Sequence, residues 1–318
     1  PTLYFAARQL GRMDLYRRAE QAARWELTIQ DESGAIPGGV VGQESGPAVF
    51  NTGQVMLGWL RAWTETDDPV FGAAARRAGQ YLISVLDADG IWRRGNSRFA
   101  RPDATLYNAR AAWALAVAGA RCESPAFTAG AKMALAAVVR QQHANGWFPH
   151  CCLTDPERPL VHTLAYTTRG LLEGGVLLRE SRFIAAAVQA ASAMANALKS
   201  DGSLSGRFDA NWGAAARWSC LTGLAQMVNI WLRLYEATGA RRWLDPATRA
   251  LRFLKATQNR TSSDDGLRGG IKGSFPVSGD YGRHQVLSWA TKFFADALLR
   301  HDRMTGTRPL FAGADVLV

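Results

Sequence analysis

Four glycines constrain this chain more than any other feature. Gly34 in "QDESGAI", Gly90 in "LDADGIW", Gly146 in "QHANGWF" and Gly202 in "KSDGSLS" follow one another at intervals of 56 residues. A second series, Leu15, Phe71, Phe127 and Phe183, keeps the same interval in another phase. Two interleaved series of one period mark a structural repeat, whose units must stack because none can bury its apolar face alone. After Gly202 the interval stretches to Gly266 in "SDDGLRG", and Trp243 takes up the aromatic phase, as an insertion in the last loop would produce.

Each unit reads alike. A helix opens near the aromatic phase, as in "DPVFGAAARRAGQYLISVL" with Pro69 at its start, where a missing N–H costs nothing. It ends at an Asp-Gly or Asn-Gly turn whose glycine can take positive φ. The loop that follows is roughly fifteen to twenty-five residues, longer than a chain reversal requires. A second helix comes next: "TGQVMLGWLRAWTE", "TLYNARAAWALAVAGA", "HTLAYTTRGLLEGGVLLRE", "WSCLTGLAQMVNIWLRLYEATG" and "HQVLSWATKFFADALLRHD". These second helices are apolar on nearly every face, and Gly53, Gly58, Ala109, Gly170 and Gly223 permit close approach. The first helices are amphipathic, with Arg76, Arg77, Arg249 and Arg252 suited to a wet face. An all-round apolar helix is buried and an amphipathic one lies outside. The alternation predicts an all-α fold, an α/α toroid of five to six helical hairpins with a repeat of 56 residues. It is read as one domain over residues 1–318, with trimming from a longer chain left open. No run of period-two strands argues for a β fold.

If the buried helices all run the same way, their N-termini and the long loops share one face. Helix N-termini carry partial positive charge and free N–H groups, so such a face suits an anion. The loop "GIWRRGNSRFARPD" then supplies Trp92 as a stacking surface and Arg93, Arg94, Arg98 and Arg101 as anion ligands. The formal charge of +10 agrees, since arginine pairs in a bidentate way with carboxylate, sulfate or phosphate. Plain solubility charge is the alternative source of that balance. Without a recognition motif the charge supports no specific nucleic-acid partner.

No window has the uninterrupted apolar length of a membrane span. Four cysteines, Cys122, Cys151, Cys152 and Cys220, make no disulfide framework and favour a reducing, cytoplasmic location. A periplasmic or secreted location follows instead if an export signal preceded Pro1. The sequence sets no oligomeric state.

The turn-glycine repeats "QDESGAI" and "QHANGWF" before an apolar helix resemble those of squalene-cyclase and prenyltransferase toroids. They are also similar to six-hairpin glycosidases and to α/α-toroid polysaccharide lyases and uronyl epimerases. The Asp-x-Asp-Asp motif of squalene-type cyclases is missing, because "TETDDP" puts Asp67 and Asp68 at the end of a buried helix. The Asn-Asn-His signature of alginate lyases is missing too. The resemblance therefore implies a toroid and carries over no catalytic residue.

Candidate site residues come instead from position at or before the buried helix N-termini. They are Asn51, Thr52 and Gln54; Asp103, Tyr107, Asn108 and Arg110; His162, Tyr166 and Arg169; Arg207, Asp209, Trp212 and Trp218; and Asp280, Tyr281, Arg283, His284 and Trp289. Trp147, beside the third turn glycine, joins the substrate-binding group with Trp92. Tyr166 lies four residues after His162, so both face one side of a helix. The assortment fits proton abstraction beside a uronate carboxylate. Arginine neutralises the carboxylate, and His162, Tyr166, His284, Tyr281 or Tyr107 moves the protons. The implied activity is β-elimination or C5-epimerisation of an acidic polysaccharide or oligosaccharide. Three alternatives stand: a glycoside hydrolase using two of Asp103, Asp209 and Asp280, with Glu44 an outsider; a terpene-cyclase-like toroid; and a non-catalytic module that holds anionic glycans.

Each candidate has a plainer structural reading. Tyr107 and Tyr166 suit a core with satisfied hydroxyls, and Asp103 and Thr52 suit helix caps. No cofactor is expected. The soft ligands His143, His150, Cys151, Cys152 and His162 are the one cluster that raises zinc, but they lack the spacing of a zinc motif.

Overall fold

The computed structural model describes residues 1–39, 42 and 45–306. Eleven α-helices carry these residues: α1 (Thr2–Leu10), α2 (Met13–Leu27), α3 (Val49–Thr66), α4 (Pro69–Ser84), α5 (Ala109–Arg121), α6 (Pro125–Gln141), α7 (Val161–Leu178), α8 (Ser181–Asn196), α9 (Leu221–Thr238), α10 (Leu244–Thr257) and α11 (Ser288–Thr305). Four strands of two or three residues form two antiparallel pairs, β1 (Pro37–Gly38) with β2 (Ser45–Pro47) and β3 (Ser219–Cys220) with β4 (Ser274–Phe275).

The 56-residue period is a repeated turn. The backbone N–H groups of Asp31, Asp87, His143 and Lys199 donate to the carbonyls of Ala35, Ile91, Trp147 and Ser203, and each turn glycine donates back to the first residue of its turn. The four glycines take φ between 84° and 89°. That conformation disfavours side chains, and space excludes them as well. A Cβ on Gly90 would lie 2.5 Å from the Met133 carbonyl oxygen, and one on Gly202 would lie 2.3 Å from that of Arg249. The last member of the series is Gly269 rather than the expected Gly266. Gly269 takes φ 81° and its carbonyl accepts from Gln258, as the Gly34 carbonyl accepts from Gln30. The Asp264 carboxylate captures the Gly266 N–H at 2.8 Å, which diverts that residue into a local turn.

Contacts divide the chain into two compact units. The first comprises Pro1–Gln142 and Arg169–Ala186. Here α3 packs on α4 and α5, and α5 on α6. Ala111, Ala112, Ala114 and Leu115 of α5 are fully buried. Gly53 lets α3 approach α5, where a Cβ would meet the Ala111 Cα at 2.7 Å, and a Cβ on Gly170 would meet the Ala109 carbonyl oxygen at 2.3 Å. Amphipathic α4 and α6 start at Pro69 and Pro125, capped by the Asp68 carboxylate and the Ser124 hydroxyl. Phe71, Phe127 and Phe183 are buried, so the aromatic series is core. Two buried charges, Arg61 and Glu65, pair one turn apart on α3, and Arg8 adds a second bond to Glu65 at 2.7 Å.

The second unit comprises His143–Thr168 and the described residues from Ala187 onward. Its centre is α9, packed on α10 and α11. Met227, Val228, Ile230, Trp231 and Leu232 are fully buried, and the Trp231 indole donates to the Ala191 carbonyl at 3.0 Å. Trp243, in the stretched aromatic phase, is 2% exposed. The fifth buried helix was expected from His284, but α11 starts at Ser288. His284 has φ 57° and lies in the preceding loop.

Candidate active site

Within the second unit, three elements bring a histidine and two tyrosines together. Gly223 lets α9 press against the start of α7, where a Cβ would meet the His162 backbone nitrogen at 2.5 Å. The next turn of α9 presents Gln226, whose Oε1 lies 2.8 Å from His162 Nδ1. Tyr166, one turn along α7 from His162, has its ring 4.5 Å from the imidazole. The loop between β4 and α11 delivers Tyr281, whose ring lies 5.2 Å from the imidazole. That loop is held in place because the Ser274 hydroxyl donates to the Tyr281 carbonyl at 2.7 Å. Phe293 of α11 closes the edge, 6.0 Å from the Tyr166 ring.

Burial grades across this cluster. Gln226 is 3% exposed and Tyr166 8%, whereas His162 and Tyr281 are half-buried and Trp289 is exposed. The Trp289 indole donates to the Tyr281 hydroxyl at 2.8 Å. Burial holds the Tyr281 phenol far above its ordinary pKa; nearby Cys220 and Tyr166 add to this, and the Trp289 indole and Thr222 hydroxyl act against it. Burial likewise pushes the Cys220 thiol up to about 12. The cluster thus combines one imidazole with phenols across a boundary from buried to exposed side chains, a composition suited to moving protons.

The other expected residues fall into separate settings. In the second unit, Arg207 pairs with Asp280 at 3.3 Å and donates to the Arg158 carbonyl, and it lies near enough to Cys220 to favour its thiolate. Trp218 fills the space that a Cβ on Gly206 or Gly279 would need, at 2.4 and 2.8 Å. The Asp209 carboxylate accepts from the backbone of Asn211 and Gly213, so it shapes a turn. Trp212 donates to the Asn145 carbonyl at 3.0 Å. Trp147 is 4% exposed, a core position rather than a surface for substrate. Arg283 is exposed and donates to the Ser278 carbonyl, and the His284 side chain is exposed in its loop.

In the first unit the loop that opens at Trp92 has a structural task. Trp92 is 3% exposed and its indole donates to the Leu82 carbonyl, so the expected stacking surface is core. Arg93 pairs with Asp87 and Asp89, and Arg94 donates to the Ser84 carbonyl, which pins the loop to the end of α4. Arg98 lies over Phe99, and Arg101 pairs with Asp103 at 3.4 Å. The N-cap positions of the helical turn and helix that follow are Thr105 and Asn108, not the expected Asp103. The Tyr107 hydroxyl donates to Asn96, and burial raises its pKa to about 12. Asn51 is half-buried in the first turn of α3. Arg110 donates to Gln54 at 2.7 Å, and the guanidinium groups of Arg110 and Arg169 lie 5.0 and 5.4 Å from the Trp113 ring centroid. Arg169 is paired with the buried Glu173 at 2.6 Å. Glu44 lies outside the described residues.

The soft-ligand cluster does not assemble. Cys151 and Cys152 are fully buried, and among the described residues no group of three or more His, Cys, Asp and Glu side chains is placed to hold a metal ion. No helix among them is long and apolar enough to cross a membrane.

Compared as a sequence, the chain matches no family model and no curated protein. Compared as a structure, it matches an unsaturated glucuronyl hydrolase specific for heparin over 95% of this chain and 84% of that one, with a TM-score of 0.76 at 15% identity. The fold is the α/α toroid. A cellobiose 2-epimerase from Bacillus thermoamylovorans matches with a TM-score of 0.72 at 11% identity, covering 94% of this chain and 84% of that one. A polysaccharide lyase matches with a TM-score of 0.69 at 13% identity, covering 97% and 90%. The toroid expected from the turn-glycine repeat is thus the fold of three enzymes with different chemistries.

One residue of the cluster, Gln226, is not among those expected from helix starts. Its only sequence signal is a polar side chain in the otherwise apolar "LTGLAQMVNIW", one turn after a glycine.

Proposed function

We propose that this protein is a carbohydrate-active enzyme that transfers protons at a uronate sugar of an acidic oligosaccharide or polysaccharide, by β-elimination or C5-epimerisation. The observation that carries the reading is the imidazole of His162 with the rings of both Tyr166 and Tyr281 beside it, at 4.5 and 5.2 Å. Each named structural relative acts on a glycan or its fragments, so the fold is compatible with such a substrate.

His162 is the base that takes the C5 proton, because a neutral imidazole is a competent acceptor near neutral pH. Tyr281 keeps its proton under those conditions and serves as the donor to the departing oxygen. As that proton leaves, the indole N–H of Trp289 already points at the oxygen where charge develops. Tyr166, the second phenol beside the imidazole, is assigned as the donor that would return a proton in epimerisation. Arg207 neutralises the uronate carboxylate by exchanging its Asp280 partner for the substrate. The hydrolase alternative has less support, since Asp209 is committed to a turn and Asp103 is paired with Arg101, which leaves Asp280 without a second carboxylate of that trio.

The test is incubation with a panel of uronic-acid polymers and their oligosaccharides. Growth of the unsaturated-uronate absorbance marks elimination, and deuterium uptake at C5 from heavy water without chain cleavage marks epimerisation. Reducing sugar released with neither signal would replace the proposal with hydrolysis. Salt-sensitive retention without any turnover would replace it with a binding module.

A further inference from the structure

Gln226 deepens that reading. Its carbonyl oxygen faces His162 Nδ1 at 2.8 Å, and its own amide nitrogen is buried with no hydrogen-bond partner among the described residues. A carbonyl oxygen only accepts, so the imidazole proton belongs on Nδ1 and the lone pair on Nε2. An orphan donor argues against a purely structural role, because buried core polar groups are almost always satisfied. An amide also suits a base better than a carboxylate would. A carboxylate at this point would hold the imidazolium and remove the lone pair.

We propose that Gln226 is the positioning residue of the site, locking neutral His162 in the Nδ1–H tautomer so that Nε2 is its basic nitrogen. The proposal rests on the proton-transfer role given to His162 above. Titratable and charged groups at the ring include the phenols of Tyr166 and Tyr281 and the thiol of Cys220, whose sulfur lies against the His162 backbone N–H, with the permanently charged Arg207 near that thiol. Phenols and thiols do not titrate where an imidazole does, so the ring can be followed on its own.

The experiment is two-bond proton–nitrogen NMR of the full chain labelled with nitrogen-15 histidine, recorded above the histidine titration range. His162 is one of five histidines and is assigned by the signal lost in His162→Asn. The wild-type ring is expected as the Nδ1–H tautomer. Gln226→Leu should release it to a mixture dominated by Nε2–H. Gln226→Glu should keep Nδ1–H and raise the titration midpoint by about one unit or more. An Nε2–H tautomer in the wild type would mean the amide is turned the other way, and the proposal would be wrong. An unchanged tautomer in Gln226→Leu would overturn it equally. If that variant does not fold, the wild-type tautomer and the Gln226→Glu midpoint decide the matter. No substrate is needed, so failure of every uronate in the panel would leave this result standing, and the reverse holds too.

Discussion

The Trp289 indole N–H donates to the Tyr281 hydroxyl oxygen at 2.8 Å, from an exposed side chain to a half-buried one. The bond occupies an acceptor position on the phenol, so the phenolic proton must point elsewhere. It also stabilises the oxygen once that proton has gone. Trp289→Phe keeps the ring and removes the donor. The phenol's pKa should rise further, and turnover should fall by about three- to tenfold, the worth of one ordinary hydrogen bond. Because Trp289 is 45% exposed, its loss should leave the melting temperature nearly unchanged. Turnover and thermal unfolding of the purified variant read both outcomes, and a large loss of stability would show the indole to be structural.

The central trio gives a stronger prediction. His162→Ala should lower turnover by about 10²- to 10⁴-fold, the range for a general acid or base, and so should Tyr281→Phe where the reaction is elimination or Tyr166→Phe where it is epimerisation. Tyr166→Phe and Tyr281→Phe delete single oxygens and should cost about 1 kcal/mol of stability or less. If only His162→Ala loses activity, the phenols are packing and the base works alone. If none does, catalysis lies elsewhere.

Much of this was legible in the sequence, for identifiable reasons. The turn glycines could be read because a left-handed backbone and a Cβ clash together leave glycine alone at Gly34, Gly90, Gly146 and Gly202. The His162 and Tyr166 pairing could be read because one helical turn puts both on one side. Trp92 was misplaced because an indole in a loop looks the same whether it lines a cleft or plugs a core. The Arg93 partners were visible in "LDADG", where Asp89 stands one helical turn's spacing ahead of it, yet charge balance alone suggested a ligand. Gln226 was out of reach, since only the close approach of α9 to α7 at Gly223 gives that amide a partner.

Gly90→Ala tests the repeat directly. The substitution asks an L-residue to hold φ 86° and places a Cβ 2.5 Å from the Met133 carbonyl oxygen. Left-handed backbone costs about 1 kcal/mol and the clash adds to it, so the loss should be about 2 kcal/mol or more. Gly11→Ala is the control: its φ is 66°, but nothing lies within 4 Å of the added Cβ. Urea midpoints with unchanged slope measure both. Equal losses would mean that backbone conformation, and not the contact with α6, fixes the turn.

Glu26 supplies a prediction in pH. Burial raises its carboxyl pKa above the ordinary 4.5. The folded state then holds this proton more tightly than the unfolded chain does. In the window from 4.5 up to the raised folded value, the folded state binds more protons, so stability falls as pH rises. Above the window the penalty of a partly buried carboxylate is present in full, and below 4.5 it is absent. Glu26→Gln removes the charge and keeps the shape. The variant should be more stable than the wild type at pH 7 and equal to it near pH 4, within about half a kcal/mol of measurement scatter. Denaturant unfolding of both proteins at the two pH values gives the comparison. A gain of the same size at both would trace the effect to packing, and the carboxylate would then carry no burial penalty at this position.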